Sequence, residues 1–161
     1  MPSPSPIEEK IWIAIRDLLL AAKVNGQQMD YVKGIFEGVR ELPNGAFPAV
    51  ILEPDETEET LHTVAGASSK YRLVQRISIH CMIEHLELDH QIIGDGAAIQ
   101  GIYDLVSDVK NVLQTPAKLG LDGENVLWVR FPNTRYFFDN FPIREAVITA
   151  EIESTRRKTN R

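Results

Sequence analysis

Cysteine is nearly absent from this chain: Cys81 stands alone among 161 residues. No disulfide can form within the chain, and the expected setting is a reducing compartment. Long apolar runs are missing too. The best candidate, Ile11 to Ala22, is broken by Arg16 and Asp17 and is too short to span a bilayer. Met1 to Lys10 carries three prolines and no apolar stretch, so no secretory signal is expected there. There is no internal repeat, no complete GxGxxG, no Walker lysine, no HExxH and no nucleophile elbow. The sequence therefore offers none of the standard handles for dinucleotide, nucleoside triphosphate, zinc-protease or serine-hydrolase chemistry. Positive charge is also in deficit, with 17 Lys and Arg against 23 Asp and Glu and a net charge of −6. Nucleic-acid affinity is driven by phosphate neutralisation, so an acidic chain is a poor default binder. The deficit is uneven. Arg156, Arg157, Lys158 and Arg161 fall in the last eight residues with no acid among them, and setting those four aside leaves −10 on residues 1–153.

What is present suits one globular domain over residues 1–161: 43% apolar and 25% charged residues, in a length that buries roughly 70% of its unfolded surface. Residues 1–4 read as a flexible lead. Ser5 then stands as an N-cap, with Pro6 at the first helical position and Glu8 completing a capping box. Ile7, Ile11, Ala14, Ile15, Leu18 and Ala22 recur at spacings of three and four, which predicts a helix from about Pro6 to Lys23 that stops near Asn25-Gly26. Tyr31 to Val39 reads as a short strand, Pro43-Asn44-Gly45 as a tight turn, and Phe47 to Leu52 as a strand with Pro48 at its start or on an edge.

Residues 54–70, with Glu53 just before them, predict a long acidic loop carrying Asp55, Glu56, Glu58 and Glu59. Tyr71 to Leu86 alternates, with Leu73, Ile77, Ile79, Cys81 and Ile83 on one face and Arg72, Arg76, Ser78 and His80 on the other. A strand of that length spans roughly 50 Å, so it must bend or project. A second helix is expected from about Ala97 to Gln114, and strands over Asn125 to Phe131 and Ile143 to Glu153, with Ala146, Ile148, Ala150 and Ile152 inward. Residues 154–161 read as a basic tail. The order predicts an α+β fold: a mixed or antiparallel sheet of about four to five strands, with two helices packed on one face.

Several residue groups invite a chemical reading. His80, Glu84, His85, Glu87, Asp89 and His90 are metal-ligating types, but strand alternation puts His80 and Glu84 on one side and His85 on the other. Gly94-Asp95-Gly96 before the second helix lacks the remainder of a phosphate-binding motif and reads as a turn. The acidic run lacks the separated pair that acid–base catalysis needs, and reads as a solvated loop or one that orders against a basic partner. Cys81 falls on the apolar face and reads as a core residue. The aromatics Trp128, Phe131, Tyr136, Phe137, Phe138 and Phe141 either pack the core or anchor a partner, and Asn133-Thr134 and Asp139-Asn140 suggest turns that expose some of them. No catalytic, cofactor or metal site is assigned.

The order of these features is similar to that of the tail-terminator (tail-completion) proteins of long-tailed bacteriophages. The likeness runs over roughly residues 5–153. It is carried by Ile11-Trp12-Ile13-Ala14-Ile15 to Leu20, a short Val32/Gly38 strand, Phe47-Pro48-Ala49-Val50, the acidic segment, Arg76-Ile77-Ser78-Ile79, a helix with Ile102-Tyr103-Asp104-Leu105, and two final strands. The resemblance implies an α+β subunit that closes into a homohexameric ring, caps the tail tube and presents a surface to head-completion proteins. It implies a virion protein of the tail or neck, assembled in the host cytoplasm. It implies no enzyme activity, no cofactor and no membrane, and nucleic acid only in passage through the ring. On that reading the expected oligomer or partner contacts are Glu53, Asp55, Glu56, Glu58 and Glu59, with Arg72 and Arg76, Tyr136 and Phe137, and Arg156 and Arg157. The competing readings are another neck protein (an adaptor or stopper), a small metal-dependent enzyme using His80 to His90, and a nucleic-acid binder using the C-terminal tail.

Overall fold

The computed structural model describes residues 6–38, 41–43, 45–65, 68–87, 89–96, 100–121 and 126–159; for 62–65, 68, 69 and 157–159 it describes the backbone course alone. The first helix, α1 (Ile7–Ala22), buries Ile11, Ile15, Leu19 and Ala22, the stripe that its spacing predicts. Pro6 precedes the helix with an extended backbone instead of forming its first residue, and the expected cap Ser5 lies outside the described residues. The chain leaves α1 through Gly26, whose φ of +84° favours glycine and whose N–H donates to Asp30 Oδ2 at 3.1 Å.

Five strands follow, interrupted by the second helical layer: β1 (Gly34–Glu37), β2 (Ala49–Ala65), β3 (Ser68–Glu84), the single turn α2 (His90–Ile93), α3 (Ile102–Gln114), a 3-10 turn (Ala117–Gly120), β4 (Val126–Phe137) and β5 (Ile143–Thr159). The sheet order is β1-β2-β3-β5-β4, with β1 parallel to β2 and every other pair antiparallel. The fold is thus the expected α+β type with a five-stranded mixed sheet.

The core lies between one face of this sheet and the two long helices. Leu73, Ile77, Ile79, Cys81 and Ile83 of β3 and Ala146, Ile148, Ala150 and Ile152 of β5 point into it and meet Ile102, Leu105, Val106, Val109 and Leu113 of α3 together with the α1 stripe. Small alanines on β5 beside large isoleucines on β3 let the helices sit close to the sheet. Polar ties fix the ends of the layer. Tyr31 donates to Asp108 on α3 at 2.7 Å, and Trp12 on α1 donates through its indole N–H to Glu37 on β1.

Further sequence expectations change. Residues 54–65 and 68–70 are not a loop: β2 continues to Ala65 and pairs with β3, with bulges between Pro54 and Thr57 and between Leu61 and Thr63, and residues 66 and 67 lie outside the described ones. Pro54 cannot donate to a ladder and sits where the register shifts. The acidic residues stay in a strand because cations face them across the sheet, as described below. Residues 154–159 are likewise not a tail, since β5 pairs with β3 without interruption from Ile143–Glu84 to Thr159–Ser68. Asn133 and Thr134 lie inside β4, at its irregularity, instead of forming a turn.

The second long helix starts at Ile102 rather than near Ala97, and residues 97–99 lie outside the described ones. Its entry is held by Gly101, whose N–H donates to Asp104 Oδ2 at 2.8 Å. A Cβ on Gly101 would fall 2.3 Å from the Ile92 carbonyl oxygen and 2.5 Å from the Gly94 nitrogen, both backbone atoms. Gly101→Ala is therefore expected to destabilise the fold by about 2 kcal/mol, as overpacking against atoms that cannot rotate away. A midpoint of thermal unfolding equal to that of the parent chain would contradict this close approach.

Candidate functional site

The sheet face turned away from the helices is where the chain concentrates its charge. Strand alternation presents Arg72, Arg76, Ser78 and His80 of β3 here, beside Glu145, Glu151 and Glu153 of β5, and the register arranges them in rows that run across the strands. The middle row crosses four strands. Glu56 and Glu58 on β2 bind the Arg76 guanidinium, Arg76 Nε donates to Glu151 Oε2 at 3.0 Å, and Arg130 Nε on β4 donates to Glu151 Oε1 at 2.7 Å. Arg130 also stacks over Trp128, its guanidinium carbon 4.2 Å from the ring centre. One row is Arg72 with Glu153, joined at 2.8 Å. Another sets His80 between two carboxylates, Nδ1 2.6 Å from Glu145 and Nε2 3.3 Å from Glu53. Asp55 reaches Ser78 at 3.5 Å.

Glu151 and Glu153 are only 5% and 7% exposed, although no helix among the described residues covers this face. The arginine stems shield them. Burial pushes the Glu151 carboxyl up, but Arg130 and Arg76 outweigh it and hold the group below the ordinary carboxylate range. A carboxylate held ionised in this way is a weak base. The rows fasten strand to strand and set register; they do not assemble a reactive group.

His80 carries a pH signature. Hydrogen bonding to Glu145 raises its pKa above the ordinary 6.5 against the opposing effect of burial, with Glu53 adding to the rise. Its stabilising contribution is fully present below pH 6.5 and is lost as the pH rises through the raised value. His80→Gln is therefore expected to show a flatter dependence of unfolding free energy on pH in the neutral to weakly alkaline range. Urea titrations of both proteins across that range check it, and parallel curves would contradict it.

The other groups singled out by sequence lie apart. Glu59 is on the helix side, paired with Arg156, which also comes within 4.0 Å of Glu8 on α1. Arg157 is near the end of β5, its backbone opposite Lys70. Tyr136 is also on the helix side, edge-on to Tyr103 with ring centres 5.1 Å apart, and burial raises its hydroxyl pKa. Phe137 faces the open side. The histidines do not converge: His85 Nε2 meets the Gln100 carbonyl at 2.9 Å and His90 lies beside Glu87. Among the described residues no three His, Cys, Asp or Glu side chains form a metal-binding group. Cys81 is fully buried, and burial raises its thiol pKa far above the ordinary value. Gly94 ends α2, separated from α3 in sequence, and its backbone nitrogen packs against Gly101 at the α3 entry.

Sequence reasoning singled out Arg72, Arg76 and the acids of residues 53–59, the latter as loop residues, but missed Glu145, Glu151, Glu153 and Arg130. The signal was present in β5, where these acids occupy the positions between Ala146, Ile148, Ala150 and Ile152 or beside them. It also missed a hollow at the end of the sheet where β3 finishes and β5 begins. Six apolar side chains, including Phe47 from the β1–β2 connection, Met82 of β3 and Ile143 of β5, line a volume of about 490 Å3, with Glu41 and Glu84 at its rim. A smaller hollow of about 170 Å3 adjoins it through Ile143, bounded by Phe137, Asp139 and Glu145. Phe138 and Phe141 are exposed in the neighbouring β4–β5 connection.

No helix among the described residues is long and apolar enough to cross a membrane. No family model matches the chain, and no curated protein matches it. Among solved structures, a chain from the virion of a native gene transfer agent (GTA) particle aligns with 89% of this chain and 93% of its own length, with a TM-score of 0.56 and 10% sequence identity. At that identity the likeness shows the fold: this chain has the fold of a chain in a gene transfer agent virion.

Proposed function

We propose that this chain is a virion structural protein of a phage-type particle, and specifically a tail terminator that closes into a ring on the tail tube and offers the joining surface for the head. The observation that carries the reading is the shared fold with a GTA virion chain over nearly the whole length of both. Two features of the molecule support it. The charged face is built of mutually satisfied ion pairs that hold strands in register, as a load-resisting part requires and a catalyst does not. The sheet also extends well past its helical cover: β1 flanks β2 over Ala49–Leu52, and among the described residues the remainder of β2 is an open edge. An open edge, guarded here by acidic side chains, is suited to contact with a neighbouring chain.

The test is light scattering and negative-stain imaging of the purified protein, alone and with tail tube protein. Rings, and tubes that stop growing once the protein is added, are expected. A chain that stays monomeric and leaves tube growth unchanged would refute the reading, and capture by portal-side proteins without binding to tube would move it to an adaptor or stopper.

A further inference from the structure

The open face of the sheet changes character toward one end. Arg72, Arg76, Ser78 and His80 of β3 carry the charged rows, but the next residue of β3 on that face is Met82, with Ile51 of β2 and Ile143 of β5 in the same hollow. Met82 and Ile143 are only half-buried, so ion pairs give way here to apolar surface that water reaches. The larger hollow built on them, about 490 Å3, falls within the roughly 300–1,000 Å3 typical of ligand sites. The smaller one shares Ile143 and is bounded by Phe137, which is 44% exposed. Apolar side chains left open to water contribute little until something covers them, and a patch of them marks a contact surface.

Charge decides what covers this one. Ile143 is the wall common to both hollows. Glu84 stands opposite it on β3, and Asp139 borders it from the β4–β5 connection. Both acids are exposed, and neither enters an ion pair or a side-chain hydrogen bond among the described residues. Glu41 adds a further acid to the rim, and Glu145 another that is shared with His80. No Lys, Arg or His is found among the described residues that line either hollow. Such a rim repels phosphate, which disfavours nucleic acid and anionic lipid, and the net charge of −6 works against a second copy. It attracts a cationic protein segment that brings an apolar side chain with it. The exposed Phe137 ring suits the same partner, because a lysine or arginine placed there meets an aromatic face and the Asp139 carboxylate together.

We infer that the two hollows together bind a basic segment of another protein, with one of its apolar side chains seated between Met82 and Ile143 and its cations beside Glu84 and Asp139. The charges select the partner and speed the encounter, and burial of the apolar side chain holds it. The site is separate from the open β2 edge on which the ring reading draws, and it stands or falls independently of that reading.

The probe is a set of synthetic peptides, each with a central leucine, methionine or phenylalanine flanked by lysine or arginine. They are titrated into the whole protein with its isoleucine and methionine methyl groups isotope-labelled for NMR. Members of the set are expected to shift the methyl signals of Met82 and Ile143, while those of Ile77 and Ile148 in the core stay in place. Changing the flanking cations to glutamate, or the central residue to alanine, should weaken binding roughly tenfold or more. Glu84→Lys with Asp139→Lys should weaken the basic peptides to a like degree and admit the glutamate-bearing ones, a gain that cannot come from an unfolded chain. Raised salt should weaken the parent contact. Three results would overturn the inference: no methyl shift with any member of the set, shifts confined to other methyl groups, or equal binding of cationic and acidic peptides. Shifts of Met82 and Ile143 that appear on concentrating the protein alone assign the hollow to a second copy and overturn it too. None of these outcomes bears on whether the chain caps a tail tube, which the imaging experiment above reads separately.

Discussion

Ile77→Ala is expected to destabilise the protein by about 3 kcal/mol, within the range for truncating a fully buried aliphatic side chain. Ile77 is 0% exposed on the central strand, with Pro54 of β2 and Ala150 of β5 as its register partners. Neither neighbour can extend into the vacated space, because alanine has no longer rotamer and proline is fixed by its ring. The cavity therefore persists, and the cost comes from lost burial and lost contacts together. Val147→Ala is the control. It removes two carbons from a partly exposed residue on the charged face and should cost well under half as much. Urea unfolding of the two variants with a common denaturant slope checks the pair. Equal losses would mean that the two faces of the sheet are assigned the wrong way round.

The same alternation explains why much of this fold is legible in the sequence. Period-2 spacing from Tyr71 onward fixed which β3 residues enter the core, and period-3.6 spacing did the same for α1, because each pattern is a direct image of one buried face. The segment after Leu52 was not legible. Glu53, Asp55, Glu56, Glu58 and Glu59 have low strand propensity taken one at a time and repel one another in isolation. They become strand because β3 sets Arg76 and His80 opposite them, and those partners lie more than fifteen residues away. The C-terminal cations misled for the same reason, since a run of like charge reads as a solvated tail until its partner strand is known. The acid-rimmed hollow was least legible of all. It is assembled from the β1–β2 connection, β3 and the β4–β5 connection, and no local pattern announces a surface drawn from three distant segments.

Removing the carboxylate at the centre of the charged face is expected to have the other large effect. Arg76 and Arg130 both bind Glu151, so Glu151→Ala takes the acid from two ion pairs at once. Breaking a buried pair from one side typically costs 3–5 kcal/mol. The expected loss here is about 3 kcal/mol, at the low end, because the Arg130 side chain is 59% exposed and regains water when released. Glu151→Gln, which keeps one acceptor and the packing, should lose roughly half as much. The pH dependence separates this charge effect from simple truncation. The folded-state pKa of Glu151 lies below the ordinary 4.5, so its contribution is fully present above pH 4.5 and is lost as the pH falls through that lowered value. The stability gap between parent and Glu151→Ala should therefore be constant near neutrality and close in strong acid, whereas the Ile77→Ala gap should persist. A Glu151→Ala gap that does not change with pH would show that the side chain acts by packing alone, and the transverse row from Glu56 to Arg130 would lose its role in holding four strands in register.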